Sequence, residues 1–128
     1  MLQAIIQHTS LLMTLRHPGT GLPDRGSFPW ILLAGAATTT IARAIAEGMD
    51  LPMAIALALL GSLIIAILMR RRLTIISALA MICMAGDLVA VLSAGLSFGG
   101  GLMLVVTTWQ FVAMMYFVRR NPPTDARS

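Results

Sequence analysis

Two charged residues stand inside apolar segments of this 128-residue chain, and their types could support chemistry. Asp87 lies within an apolar stretch over residues 73–94, and Arg43 lies near the end of another over residues 28–46. A carboxylate at membrane depth is costly unless it is paired, solvated or protonated. Three interpretations follow: Asp87 pairs with Arg43 inside the protein, binds a cation or carries a proton, or faces a polar group on a partner protein.

Counting along the two segments places both charges at a similar depth. Arg43 is 15 residues from Phe28, and Asp87 is 14 residues from Leu73. At 1.5 Å per residue, both lie roughly 21–23 Å from segment ends on the same side of the bilayer. We therefore predict a polar layer in the outer half of the bilayer. Its predicted members are Arg43, Asp87, Thr107, Thr108 and Gln110, with Thr38, Thr39 and Thr40 at the same level.

Arg43 has two other options at this depth. Glu47 follows it by one helical turn, the spacing at which opposite charges meet on a helix surface. The long arginine side chain could also extend to the outer interface while its stem stays in the apolar region. The sequence leaves the choice between these options and an Arg43–Asp87 pair open.

Four apolar segments must position these residues, and each is about long enough to cross a bilayer. With 58% hydrophobic and 11% charged residues, the chain cannot bury its apolar surface in a soluble domain of this size. We predict an all-α, polytopic membrane protein whose transmembrane domain covers residues 28–118. The predicted spans are residues 28–46, 51–69, 73–94 and 101–118.

The N-terminal region, residues 1–27, has a different pattern. Its first half is too short to span a bilayer but repeats apolar residues at helical spacing, which predicts an amphipathic helix on the cytoplasmic leaflet or against a partner. A signal peptide fits less well because a basic leading region is missing. The residues that repeat at helical spacing are Leu2, Ile5, Ile6, Thr9, Leu12 and Met13.

The nine basic residues, all arginine, indicate the orientation of the spans. The arginines outside the spans fall on one side, which we call the arginine side, and Glu47 and Asp50 mark the opposite end of the first hairpin. The positive-inside rule then predicts a bacterial inner-membrane protein with both termini in the cytoplasm and a basic tail over residues 119–128. Because the arginines flank spans, we expect lipid rather than nucleic acid as their partner. The eight arginines outside the spans are Arg16, Arg25, Arg70, Arg71, Arg72, Arg119, Arg120 and Arg127.

Small residues recur every four positions on two of the spans, which lets another helix approach closely. Such stripes serve either packing within the bundle or docking of another subunit, and the sequence favours the first. The third span carries Gly86, Ala90 and Ala94, and the second carries Ala54, Ala58 and Ser62.

The sequence contains no recognisable catalytic, cofactor-binding or metal-binding motif. We therefore predict a protein that is not an enzyme and needs no cofactor or metal. The leading hypothesis is a non-catalytic accessory, scaffold or assembly subunit of a larger membrane complex, with other membrane subunits or further copies as partners. The alternative is a small homo-oligomeric transporter or channel that uses Asp87, and a pore-forming lysis protein is a third possibility.

Overall fold

Five helices make up the secondary structure of the described residues, which are 2–16, 22, 25–96 and 100–120 of the computed structural model. Four of them are long and apolar enough to cross a membrane, so the prediction of an all-α protein with four membrane-spanning helices is confirmed. The helices are α1 (Leu2–Met13), α2 (Phe28–Ala46), α3 (Leu51–Met69), α4 (Leu73–Gly95) and α5 (Gly100–Arg120).

The helix ends follow from local chemistry. Pro29 and Pro52 lie in the first turns of α2 and α3. Backbone N–H groups in a first turn have no acceptor within the helix, so proline, which lacks this group, costs no hydrogen bond there. At the end of α2, Gly48 adopts φ +90°, a conformation that is easy only for glycine. Its amide bonds to the Ile45 carbonyl, and the Met49 amide bonds to the Ala44 carbonyl. This closing motif turns the chain sharply into α3.

Helix α4 lies at the centre of the bundle and packs against each of the other four helices. Its side chains at Ile76, Ala78, Ala80 and Ile82 are fully buried. In contrast, α2 and α5 flank α4 without any of their described Cα atoms coming within 8 Å of each other. Any direct link between α2 and α5 must therefore be made by long side chains.

The small-residue stripes are used inside the chain. Ala54 and Ala58 are the buried residues of α3, and Ser62 is partly buried. On α4, Gly86 and Ala90 are buried and Ala94 is partly buried. The rest of α3 exposes large apolar side chains, which suit contact with lipid. The most exposed are Leu51, Met53, Leu59, Leu60, Leu63, Ile67 and Leu68.

Helix α1 packs against α4 and α5 rather than standing apart from the bundle. Leu12 is 2% exposed and belongs to the hydrophobic core, whereas Leu2 and Ile6 are 72% and 60% exposed. The apolar face predicted from the sequence is thus divided between the protein core and the outside. The pattern predicted the helix but not the surface against which it docks.

Helix α5 extends further than its predicted span, because Arg119 and Arg120 are helical. The sequence predicts both residues in the basic tail instead. Cations in the last turn of a helix interact favourably with its dipole, which accounts for this extension. The remainder of the predicted tail, residues 121–128, lies outside the described residues.

Candidate functional site

Arg43 of α2 and Asp87 of α4 form an ion pair, with the Arg43 Nη1 atom 3.2 Å from the Asp87 Oδ1 atom. Their side chains are 14% and 6% exposed. Of the pairings left open by the sequence, the structure thus contains the one between two spans. Arg43 and Asp87 lie at the same depth, as the count along the two helices predicts. In addition, α2 and α4 are rotated so that the two side chains face each other.

The Asp87 carboxylate accepts a hydrogen bond from a threonine as well as from Arg43. Thr40 Oγ1 donates to Asp87 Oδ2 at 2.9 Å. Thr39 Oγ1 lies 3.3 Å from the same oxygen but only 2.9 Å from a carbonyl oxygen of its own helix, and its single proton can serve only one of the two. Gln110 Nε2 lies 3.4 Å from Asp87 Oδ1. Both carboxylate oxygens therefore have donors, which is what a charge removed from water requires.

The Arg43 guanidinium reaches four side chains on three helical regions. Its Nε atom donates to Glu47 Oε1 at 2.9 Å, so the Glu47 and Asp87 contacts coexist rather than compete. Its Nη1 atom also donates to Gln110 Oε1 at 2.7 Å, and its Nη2 atom donates to Thr107 Oγ1. Arg43 therefore links α2 to α5, although the backbones of these two helices stay apart.

Gln110 of α5 is held by α4 as well as by Arg43. Its Nε2 atom donates to the Cys83 carbonyl at 3.1 Å. A Cβ atom at Gly86 would collide with the Gln110 side chain. Gly86 was predicted as a packing residue because of its spacing, and the structure gives it a specific role. It leaves the space in which Gln110 crosses α4.

The residues joined in this way form one unit, which we call the polar cluster. Its members are Thr39, Thr40, Arg43, Glu47, Asp87, Thr107 and Gln110. Every buried side-chain nitrogen or oxygen in the described part of the chain has a hydrogen-bond partner. The cluster is thus closed on itself, although Glu47 remains 41% exposed and connects it to the exterior.

Thr108 does not join the polar cluster, which corrects its assignment from the sequence. Its hydroxyl bonds to the Leu104 carbonyl of its own helix at 2.8 Å, and the residue is exposed. Consecutive residues are about 100° apart around a helix, so Thr107 and Thr108 cannot both face Arg43. The count along the chain predicts the depth of Thr108 correctly, but it does not predict the direction in which the side chain points around the helix axis.

The sequence predicts Thr38, Thr39, Thr40 and Glu47 near this level. It does not predict which of their side chains contact Arg43 or Asp87. Thr38 bonds to the Ala34 carbonyl at 3.0 Å and is exposed. Which threonine contacts Asp87 depends on which face of α2 packs against α4. The spacing of buried positions along α2 is the signal that could have found it.

A small cavity adjoins the polar cluster between α2, α3 and α4. It has a volume of about 90 Å³ and is lined mainly by apolar atoms. Its polar lining residues are Thr40, Ser62 and Cys83. Among the described residues, no three His, Cys, Asp or Glu side chains come together in a way that could hold a metal ion.

Comparison with protein-family models, curated proteins and solved structures finds no match to this chain. The chemistry of the polar cluster and the distribution of apolar surface are therefore the basis for a functional proposal.

Proposed function

We propose that this chain is a non-catalytic accessory or scaffold subunit of a larger membrane complex. The observation that carries the proposal is the hydrogen bonding of Asp87, which is 4% exposed and has a donor at each of its two carboxylate oxygens. A carboxylate occupied in this way fixes the packing of three helices. It has little capacity left to bind or release a ligand.

The apolar exterior also supports a role in assembly. Helix α3 is buried only along a strip of small residues, and large apolar side chains cover its remaining surface. The bundle has four spans and short connections, so nearly all of its surface is available to lipid or to other membrane helices. We expect other membrane subunits, or further copies of this chain, to occupy part of that surface.

We further propose that the protein resides in the bacterial inner membrane with both termini in the cytoplasm. The charges at the helix ends support this orientation. Arg25, Arg119, Arg120 and the Arg70–Arg72 connection lie on one side of the bundle, and Glu47 and Asp50 lie at the α2–α3 connection on the other. Arginine in short loops favours the cytoplasmic side.

A small homo-oligomeric transporter is the second candidate, and one observation favours it. The cavity of about 90 Å³ reaches Thr40, whose hydroxyl is bonded to Asp87. Thr40 is thus both a lining residue of the cavity and a partner of the carboxylate. Four helices enclose no large pore alone, so this candidate requires self-association.

Affinity purification of the native protein in a mild detergent, with mass spectrometry of the proteins that co-elute, distinguishes the two candidates. The proteins compared are wild type, Asp87→Asn and the control Asp50→Asn, in which the same change is made at an exposed carboxylate without a side-chain cap bond. We expect foreign membrane subunits in a fixed ratio with wild type and Asp50→Asn. The yield of the complex should fall with Asp87→Asn in step with the loss of folded protein.

If the protein associates only with itself and conducts cations or protons in liposomes, the accessory-subunit proposal is wrong and the transporter is favoured. In that case Asp87→Asn should abolish flux while its expression and folding stay at the level of Asp50→Asn.

A further inference from the structure

The carbonyl groups at the C-terminal end of α1 all have partners within the protein. Each of the last four carbonyl oxygens of the helix accepts a hydrogen bond from within the protein. At an ordinary surface end, several of these groups bond to solvent. The donors are the Thr14 amide to Ser10 at 3.0 Å, the Arg16 amide to Leu11 at 2.9 Å, the Leu15 amide to Leu12 at 3.2 Å and the Trp109 indole to Met13 at 2.8 Å.

The turn that closes α1 has the same bonding pattern as the one that closes α2, but leucine stands where α2 has glycine. Leu15 adopts φ +59°, and Gly48 adopts φ +90° at the equivalent position. A residue with a Cβ atom is disfavoured in this left-handed region. Leu15 packs against the hydrophobic core, and this contact compensates for its backbone conformation.

The depth of this helix end follows from its contact with α5. Trp109 is 11 residues from Arg120, the end of α5 on the arginine side. This distance is about 16 Å along the helix, and the hydrocarbon core of a bilayer is about 30 Å thick. Because the Met13 carbonyl lies 2.8 Å from the Trp109 indole nitrogen, the end of α1 lies beside the part of α5 between Trp109 and Arg120, within the apolar region.

Leu12 and Leu15 line a void of about 10 Å³ together with Phe117 and Arg120 of the last turn of α5. The end of α1 therefore packs against the half of α5 that is nearer to the arginine side. Helix α1 itself spans 11 residue steps from Leu2 to Met13, or about 16 Å. That length matches the distance from the end of α5 to Trp109.

We propose that α1 is a re-entrant segment. It enters the bilayer from the arginine side, docks in the groove between α4 and α5, and ends within the hydrocarbon region, where Trp109 holds it. Backbone polar groups in hydrocarbon must be satisfied internally, and the end of α1 meets this condition. A helix lying on the membrane surface would have water for its carbonyls and no need of Trp109. The proposal does not depend on whether the chain belongs to a complex.

Cysteine labelling in permeabilised lipid vesicles tests the proposal. The full-length protein carries Cys83→Ala, which removes its one cysteine, and a single new cysteine at Ser10, an exposed residue of α1 near the deep end. Two reference positions are labelled in parallel. Arg71→Cys lies in the exposed α3–α4 connection, and Leu60→Cys lies at the exposed middle of α3. The reagent is a membrane-impermeant maleimide.

We expect Ser10→Cys to react at least roughly tenfold more slowly than Arg71→Cys, and at a rate similar to Leu60→Cys, because only the thiolate reacts and apolar surroundings disfavour it. Labelling of Ser10→Cys at the rate of Arg71→Cys would overturn the proposal. This comparison is made in protein that retains Trp109, so it decides the depth of α1 on its own.

A second measurement tests the part played by Trp109. Adding Trp109→Phe removes the indole donor and should raise the labelling rate of Ser10→Cys while Leu60→Cys stays protected. Protection of Leu60→Cys shows that the spans remain folded. An unchanged rate for Ser10→Cys in folded Trp109→Phe protein would exclude Trp109 as the group that holds the helix.

Discussion

Arg43 and Asp87 are 44 positions apart in the sequence, and their side chains lie 3.2 Å apart between α2 and α4. The same guanidinium also contacts Gln110 and Thr107 of α5. Two helices that make no close backbone contact are thereby tied to each other and to the central helix. In a bilayer, where apolar burial gives little preference between helix partners, such bonds help to select one arrangement.

Gly86 provides the first test of this arrangement. Gly86→Ala should destabilise the protein by about 1–3 kcal/mol, because its new methyl group overlaps the Gln110 side chain. The measurement is the free energy of unfolding in mixed micelles. The control is Gly61→Ala on α3, where an added Cβ atom meets nothing within 4 Å, and it should change stability by no more than about 1 kcal/mol. Equal effects of the two variants would show that Gln110 does not occupy the space beside Gly86.

Thr107 and Thr108 form a matched pair of neighbours. Each hydroxyl bonds to a carbonyl of its own helix at 2.8 Å, but only Thr107 also accepts a bond from Arg43. Replacement by valine removes the hydroxyl in both cases, so the loss of the intrahelical bond cancels in the comparison. We expect Thr107→Val to cost about 1 kcal/mol more than Thr108→Val. The free energy of unfolding is measured for both variants in mixed micelles. A larger loss for Thr108→Val would mean that Thr108, rather than Thr107, faces Arg43.

The docking of α3 can be tested with two alanines that differ only in their position around the helix. Ala54 is fully buried against its neighbours, and Ala56 is exposed. Ala54→Leu should lower the free energy of unfolding by about 1–3 kcal/mol because the close approach leaves no room for the larger side chain. Ala56→Leu places the same side chain toward lipid and should change stability by less than about 0.5 kcal/mol. Similar losses in both would indicate that Ala56 also faces another helix.

The sequence was sufficient to predict the spans and the depth of the charged residues. Apolar stretches bounded by Arg, Gly and Pro determine where a membrane helix can begin and end, and the fixed rise per residue converts position into depth. The first two spans therefore have the predicted bounds, and Arg43 and Asp87 lie at one level. Both results depend on properties of single helices.

The remaining features depend on how helices are rotated and paired, which single-helix patterns do not contain. Thr107 and Thr108 are equivalent by depth, and only the orientation of α5 separates them. Similarly, the apolar pattern of α1 fits a membrane surface, a partner or the chain's own bundle. The Trp109–Met13 bond that places it joins residues 96 positions apart. Gly86 could be predicted as a packing residue, but its relation to Gln110 could not.

The most direct test of the account is a double-mutant cycle on Arg43 and Asp87, measured as the free energy of unfolding in mixed micelles. Arg43→Gln leaves the Asp87 charge without its cation and should cost about 3–5 kcal/mol. Adding Asp87→Asn removes that stranded charge, so the double variant should be more stable than the sum of the two single changes implies, by about 1–3 kcal/mol. Glu47→Gln, which changes the exposed partner of Arg43, should show a smaller coupling. Additive effects of Arg43→Gln and Asp87→Asn would contradict the central claim that this pair holds α2 and α4 together.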